Sequence, residues 1–288
     1  MEFLQPQSWT QALQDKAANP RAVPIQGGTD VMVELNFDRH RPPLLLDLGR
    51  VAELGRWSAE NGRVRLGAGV SYTRIIGELG DGLPGLAMAA RTVGSPQIRN
   101  RGTVGGNLGA ASPAGDSHPA LLAAEAVVEV ESVRGSRQVP VAEFYTGVKR
   151  NVLAPDELIK AVLVPRATGP QQYCKIGTRN AMVIAVAAFG LALWPDRRAV
   201  GTGIGSAAPS PRRARDAEAF IAETLDRGGF WQSRDPIPEV TATRFGDLVA
   251  AAASPIDDVR GSARYRAHAL SVMARRALTW AWNDYRRG

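Results

Sequence analysis

The segment Pro165-Arg166-Ala167-Thr168-Gly169-Pro170 limits what this 288-residue chain can fold into more than any other. Proline locks φ and carries no N–H, so two prolines and a glycine within six residues stop both a helix and a strand ladder. The break predicts two domains, residues 1–168 and 171–288, each near the ~100–200 residues usual for one domain. At 44% hydrophobic and 22% charged, the chain has the balance of an ordinary folded protein rather than a disordered or coiled-coil one.

Composition removes several classes of function. Cys174 is the only cysteine, so this chain alone builds no intramolecular disulfide, no cysteine-ligated zinc and no iron–sulfur cluster. The longest apolar stretch, residues 181–194, is shorter than the ~18–20 residues of a spanning helix and contains Gly190. The start, Met1-Glu2-Phe3-Leu4-Gln5-Pro6, has no basic segment leading into an apolar run, so a secretory signal is not expected and a cytoplasmic location is. The net charge of +7, from 35 basic and 28 acidic residues, would suit nucleic acid if it formed a stripe. It does not, except at the end, where Arg260, Arg264, Arg266, Arg275, Arg276, Arg286 and Arg287 outnumber Asp258 and Asp284. That run reads as a solvated helix face or a partner surface, with Tyr265, Trp280, Trp282 and Tyr285 as a packing stripe.

The first fifty residues read as a βαβ-type unit: a helix from Ser8 as N-cap, a strand over 22–26, a glycine turn, and a helix opening near Thr29-Asp30. In that second helix Val31, Met32, Val33 and Leu35 are expected on an apolar face, and Leu44-Leu45-Leu46-Asp47-Leu48 returns as a buried strand. Short strands and turns follow from Val51, with an alternating strand over 63–69 and helices over 71–79 and 86–92. Residues 94–119 read as a Gly/Pro-dense loop, then a helix over 119–124 and a strand over 126–132. Beyond the break the pattern is strand-rich over 171–205 and then helical, with helices over 214–225 and 262–285. The latter carries Ala269, Leu270, Met273, Ala277 and Leu278 on one side.

Two glycine stretches carry the chemistry. In Pro24-Ile25-Gln26-Gly27-Gly28-Thr29-Asp30-Val31 a strand runs through a Gly-Gly turn into a helix start, which lets backbone N–H groups approach an anion. A plain tight turn capped by Thr29 or Asp30 accounts for the same residues, and Asp30 argues against an anion. The second stretch, Arg101-Gly102-Thr103-Val104-Gly105-Gly106-Asn107-Leu108-Gly109, continues to Asp116; its small residues uncover amides, and Thr103 and Asn107 are short enough to reach a diphosphate or ribose. Asp116 can accept from ribose hydroxyls or adenine.

Neither stretch is a Walker A loop, neither spells G-x-G-x-x-G, and Gly201-Thr202-Gly203-Ile204-Gly205 also lacks that spacing. His40, His118 and His268 are far apart, and there is no H-E-x-x-H and no G-x-S-x-G. His118, beside Pro119, reads as a surface or packing residue, and Cys174 as an inert core residue of a strand. No catalytic residue and no metal ligand is nominated.

Taken with Gln97-Ile98-Arg99-Asn100-Arg101-Gly102-Thr103-Val104-Gly105-Gly106-Asn107, the first stretch resembles the FAD-binding medium subunit of molybdenum hydroxylases, the family of bacterial xanthine dehydrogenases and aerobic carbon monoxide dehydrogenases. The segments Lys175-Ile176-Gly177-Thr178-Arg179-Asn180-Ala181-Met182 and Gly203-Ile204-Gly205-Ser206-Ala207-Ala208-Pro209 are similar to that family's C-terminal flavoprotein domain, so the likeness covers nearly the whole chain.

The resemblance implies an α+β fold: a two-subdomain FAD-binding domain of the vanillyl-alcohol-oxidase (PCMH) type, subdomains about 1–54 and 55–168, followed by a smaller α+β domain over 171–288. It implies that Pro24, Ile25, Gln26, Gly27, Gly28, Thr29, Asp30 and Val31 hold the diphosphate on one loop. Thr103, Val104, Gly105, Gly106 and Asn107 would hold it on a second, with Asp116 on the adenosine side. Val93 stands where the family can carry an aromatic near the flavin; Ile159 and Lys175 match further FAD contacts through backbone and ammonium, and loop 178–184 would lie near the isoalloxazine.

The implied role is electron transfer, from [2Fe-2S] clusters of a small subunit through FAD to an acceptor such as NAD. A molybdopterin large subunit oxidises the substrate, xanthine or a related purine by overall similarity and by Thr146-Gly147-Val148-Lys149-Arg150. The expected assembly is a heterotrimer or dimer of heterotrimers, with no nucleic acid and no membrane. An autonomous flavin oxidase of the same fold is the alternative, although the first loop has no His or Cys to tether a flavin; a basic nucleic-acid-binding protein ranks last.

Overall fold

The computed structural model describes residues 1–39 and 41–288; His40, one of the three scattered histidines, lies outside the described residues. Strands β1 (Glu2–Leu4), β2 (Val23–Ile25) and β3 (Leu44–Asp47) form a parallel sheet in the order β1-β3-β2, linked by helices α1 (Trp9–Ala18) and α2 (Val31–Asn36). Helix α1 starts where its sequence requires: the Ser8 side chain accepts from the Gln11 N–H, and Trp9, Ala12 and Leu13 turn one face inward. Helix α2 departs from expectation. None of its residues is buried, and Met32 and Val33 are 46% and 44% exposed. Apolar residues at three successive positions surround a helix instead of lining a stripe, and six residues make less than two turns.

The next region is a five-stranded antiparallel sheet in the order β4-β5-β10-β6-β7 with helices packed on it. Its elements are β4 (Trp57–Glu60), β5 (Arg63–Gly67), α3 (Tyr72–Glu78), α4 (Pro84–Thr92), α5 (Pro96–Arg101), α6 (Val104–Ala110), α7 (Ser117–Ala123), β6 (Val127–Ser132) and β7 (Gly135–Pro140). Helix α8 (Val141–Phe144), the small hairpin β8 (Tyr145–Gly147) and β9 (Arg150–Asn151), and β10 (Leu158–Pro165) complete it. The stretch over 94–119 that reads as a loop holds α5, α6 and the start of α7. Its helices are made by their caps: Ser95 and Thr103 accept from the N–H groups of Ile98 and Gly106, and Pro96 sits in the first turn, which outweighs the poor helix propensity of the glycines.

Past Pro165 the chain forms an antiparallel sheet β11 (Gln171–Ile176), β12 (Ala187–Trp194) and β13 (Ala199–Gly205), then α9 (Arg215–Arg227), α10 (Phe230–Ser233), α11 (Glu239–Ala251) and α12 (Ala263–Arg287). Every residue of β12 is buried because the strand is covered on both faces. Ala188, Ala192 and Trp194 join the core of the first two sheets, whereas Ala187, Phe189, Leu191 and Leu193 join a second core with Phe245, Leu270, Leu278 and Trp282. Helix α7 lies so close to this sheet that a Cβ on Gly203 would sit 2.1 Å from the Pro119 carbonyl oxygen, and one on Gly201 2.1 Å from that of Ala123. The glycines of β13 thus serve close packing.

Helix α12 buries Ala269, Leu270, Met273, Ala277 and Leu278 on the expected side. The aromatic stripe divides: Trp282 and Tyr285 pack against Trp231, but Tyr265 and Trp280 are 47% and 48% exposed, being out of phase with the buried face. Cys174 is half-buried against the second core, and burial pushes its thiol up to about 11, far from a thiolate at neutral pH.

Candidate functional site

The two glycine turns meet. A Cβ on Gly27 would stand 1.9 Å from the Arg101 carbonyl oxygen, so only glycine lets the first turn touch the backbone that leads into the second. Gly28 has φ +77°, the left-handed region that glycine enters without penalty. Among the described residues the N–H groups of Gly27, Gly28, Thr29 and Asp30 donate to no acceptor, and neither do those of Val104 and Gly105 at the head of α6. Buried Gln26 Oε1 also lacks a partner, although its Nε2 lies against Gly69. Two facing turns with unpaired amides and an orphaned carbonyl oxygen suit a ligand rich in phosphate and hydroxyl groups.

The second turn is held firmly. Ser71 bridges Thr103, the Tyr72 N–H donates to the Gly102 carbonyl at 3.0 Å, and the Thr103 hydroxyl accepts from the Gly106 N–H at 3.0 Å. A Cβ on Gly105 would be 2.5 Å from the Ala68 Cβ. The Ser117 hydroxyl donates to Asn107 Oδ1 at 2.6 Å, tying α6 to α7. Beneath them His118 is fully buried and shares a 2.7 Å hydrogen bond between its Nδ1 and the Tyr145 hydroxyl; burial drives its pKa down to about 3, so the ring is neutral. It is a packing residue.

Asp116 and Lys175, assigned separate contacts by resemblance, are bonded to each other at 2.6 Å with side chains 10% and 8% exposed. Lys175 also donates to the Thr92 carbonyl at 3.1 Å, and the Tyr173 hydroxyl approaches Asp116 at 3.4 Å. Burial raises the Asp116 pKa from its ordinary value against the opposing pull of Lys175. The pair joins the N-terminal end of α7 to β11. Tyr173 was not foreseen, yet its signal was available: in a strand, residues two apart share a face, which places Tyr173 beside Lys175.

The remaining candidates lie around these groups. Val93 closes α4, and its carbonyl, with those of Arg91 and Gly94, accepts from the Arg99 guanidinium at 3.1–3.2 Å. Arg99 lies inside the quoted motif but was not named as a site residue. Ile159 is buried in β10 at a register shift and faces Gly109 of α6. Pro24 and Ile25 belong to strand β2, leading into the turn, and Val31 opens α2. In loop 178–184 Arg179 folds back onto the Ala181 and Met182 carbonyls, leaving Met182 and Ile184 exposed. Among the described residues no group of three or more His, Cys, Asp or Glu is arranged to hold a metal ion, and no helix is long and apolar enough to cross a membrane.

Residues 1–167 match the family model described as the FAD binding domain in molybdopterin dehydrogenase, and residues 172–281 that of the CO dehydrogenase flavoprotein C-terminal domain. This chain therefore belongs to the family of FAD-binding medium subunits of molybdenum-dependent dehydrogenases, and is an oxidoreductase subunit. Among its relatives, the xanthine dehydrogenase FAD-binding subunit of Escherichia coli O157:H7 is 30% identical over 276 residues, 92% of this chain and 90% of that one. The nicotinate dehydrogenase FAD-subunit of Eubacterium barkeri is 36% identical over 185 residues, a match spanning 62% of each chain and so less than two thirds of that relative. The carbon monoxide dehydrogenase structure from Hydrogenophaga pseudoflava superposes with a TM-score of 0.89 at 27% identity, covering 99% of this chain and 98% of that one.

Proposed function

We propose that this chain is the electron-transfer subunit of a molybdenum hydroxylase, taking electrons from [2Fe-2S] clusters of a small partner subunit and passing them to an acceptor such as NAD. The observation that carries the reading is the pair of abutting glycine turns in which the N–H groups of Gly27, Gly28, Thr29, Asp30, Val104 and Gly105 have no acceptor among the described residues. Bound FAD supplies the redox chemistry, and the protein supplies position and electrostatics.

In this reading Gln26 to Asp30 and Thr103 to Asn107 bind the diphosphate from two sides, with Pro24, Ile25 and Val31 fixing the approach of the first turn. Asp116 would serve the adenosine side, and Lys175, bonded to it, would contact FAD through its ammonium; Val93 and Ile159 line the site. The domain division at residues 165–170 accompanies this reading: β10 ends at Pro165 and β11 begins at Gln171.

A molybdopterin large subunit would complete a heterotrimer or a dimer of heterotrimers in the cytoplasm. Xanthine or a related purine, and hence purine catabolism, is the substrate we favour, supported by the nearly full-length match to the xanthine dehydrogenase subunit. The nicotinate and carbon monoxide relatives define the test. The reconstituted complex is assayed with xanthine, nicotinate and carbon monoxide; xanthine turnover with NAD reduction is expected, and turnover of a non-purine alone rejects the purine assignment.

A further inference from the structure

Helix α2 carries the first glycine turn, yet no residue of α2 is buried and Asp30 makes no side-chain cap bond among the described residues. One restraint reaches it from the β8–β9 hairpin. Lys149, at the tip of the β8–β9 hairpin, donates from its ammonium to the Glu34 carboxylate of α2. Its backbone N–H donates at 3.2 Å to the Ala111 carbonyl, at the C-terminal end of α6. Lys149 has φ +53°, a conformation that L side chains rarely adopt and that persists where surrounding bonds impose it.

The rest of the hairpin is fastened to the same side. The Asn151 amide donates to the Gly109 carbonyl at 3.0 Å, and Tyr145 at its base is bonded to His118 of α7. One short hairpin is thus fixed to α6, which carries the second glycine turn, and to α7 behind it, and it grips the helix that carries the first.

We propose that Lys149 is a positioning residue that sets the separation of the two glycine turns and thereby the affinity of the chain for its dinucleotide. The inference rests on the two-turn FAD reading above. An ion pair this exposed has a modest effect, roughly 3- to 5-fold in affinity. It acts on the ligand-binding geometry and not on the core, since neither side chain is buried.

The test is titration of the flavin-free chain with FAD, followed by flavin fluorescence, together with thermal unfolding of the flavin-free chain. Lys149→Met and Glu34→Gln are each expected to weaken FAD by roughly 3- to 5-fold, the double variant no more than either alone, and Lys149→Arg to restore binding. Molar salt is expected to bring the unaltered chain to the level of the variants. The Tm of the flavin-free chain is expected to stay unchanged.

Tighter FAD binding by Glu34→Gln, with weaker binding by Lys149→Met, would overturn the proposal: Lys149 would then attract the diphosphate directly, and Glu34 would compete for it. Unchanged affinity in both variants, or an equal loss of Tm, would also overturn it. A Gly27→Ala control separates the two levels of the argument. If that variant loses FAD while Lys149→Met keeps it, only the positioning role fails; if both bind as the unaltered chain does, the two-turn reading fails with it.

Discussion

The two glycine turns look alike in sequence and are supported in opposite ways. The Thr103–Asn107 turn opens α6, which buries Val104, Gly105 and Leu108 and is braced by Ser71, Ala68 and Ser117. The Gly27–Asp30 turn opens α2, which buries nothing and is reached by a hairpin ion pair. One turn is part of the core and the other is laid against it. A binding site built this way has one fixed wall and one wall whose position depends on a few contacts, so damage should register as lost stability on one side and as lost affinity on the other.

The largest expected effect falls at the foot of the fixed wall. Lys175→Met leaves Asp116 buried without its partner and should destabilise the chain by about 3–5 kcal/mol in urea unfolding, with Asp116→Asn in the same chain restoring much of the loss. A loss below ~1 kcal/mol would mean that the pair is not a support. Next is Gly105→Ala, whose methyl would press on Ala68 at 2.5 Å; the expected cost is about 1–3 kcal/mol, and a neutral result would show that the fixed wall can yield.

His118 extends the comparison to pH. Its folded pKa of about 3 lies below its ordinary value of 6.5, so the unfolded chain takes up the proton first. The stabilisation is therefore complete above pH 6.5 and is lost as pH falls toward 3, at no more than about 1.4 kcal/mol per pH unit. Denaturant midpoints across this range should fall for the unaltered chain and flatten in His118→Gln; parallel profiles would remove His118 from the account. Smallest of all, Met32→Gln and Val33→Thr on α2 should change stability by less than ~0.5 kcal/mol, and a loss above ~1 kcal/mol would place α2 in the core after all.

Local patterns in the sequence go far toward this fold. Ser8 caps a helix as its sequence predicts, and the strand over 126–132 and the apolar stripe of α12 survive into the structure. What was not legible depended on partners distant in sequence. Glycines at 94–109 suggest a loop until Ser95 and Thr103 are seen capping short helices, and the apolar residues of α2 suggest burial until the helix proves too short to own a buried face.

The site shows the same limit. Gly27 and Thr103 stand out as turn residues, but that the turns touch is a contact across some seventy residues, and the joining of Asp116 to Lys175 spans 59. Resemblance named both residues without revealing that they bond to each other. Lys149 stands in the Thr146–Arg150 segment that supports the purine reading, but carried no signal of a link to Glu34 115 residues away.

Whether the abutting turns hold FAD is decided by purifying the chain beside Gly27→Ala, recording both absorption spectra and identifying any cofactor released on denaturation. Flavin bands and FAD are expected in the unaltered chain. Gly27→Ala is expected to be folded but colourless, because the added methyl, 1.9 Å from the Arg101 carbonyl oxygen, must force the turns apart. A colourless unaltered chain that takes up no added FAD, or a Gly27→Ala chain as yellow as its parent, would contradict the two-turn reading.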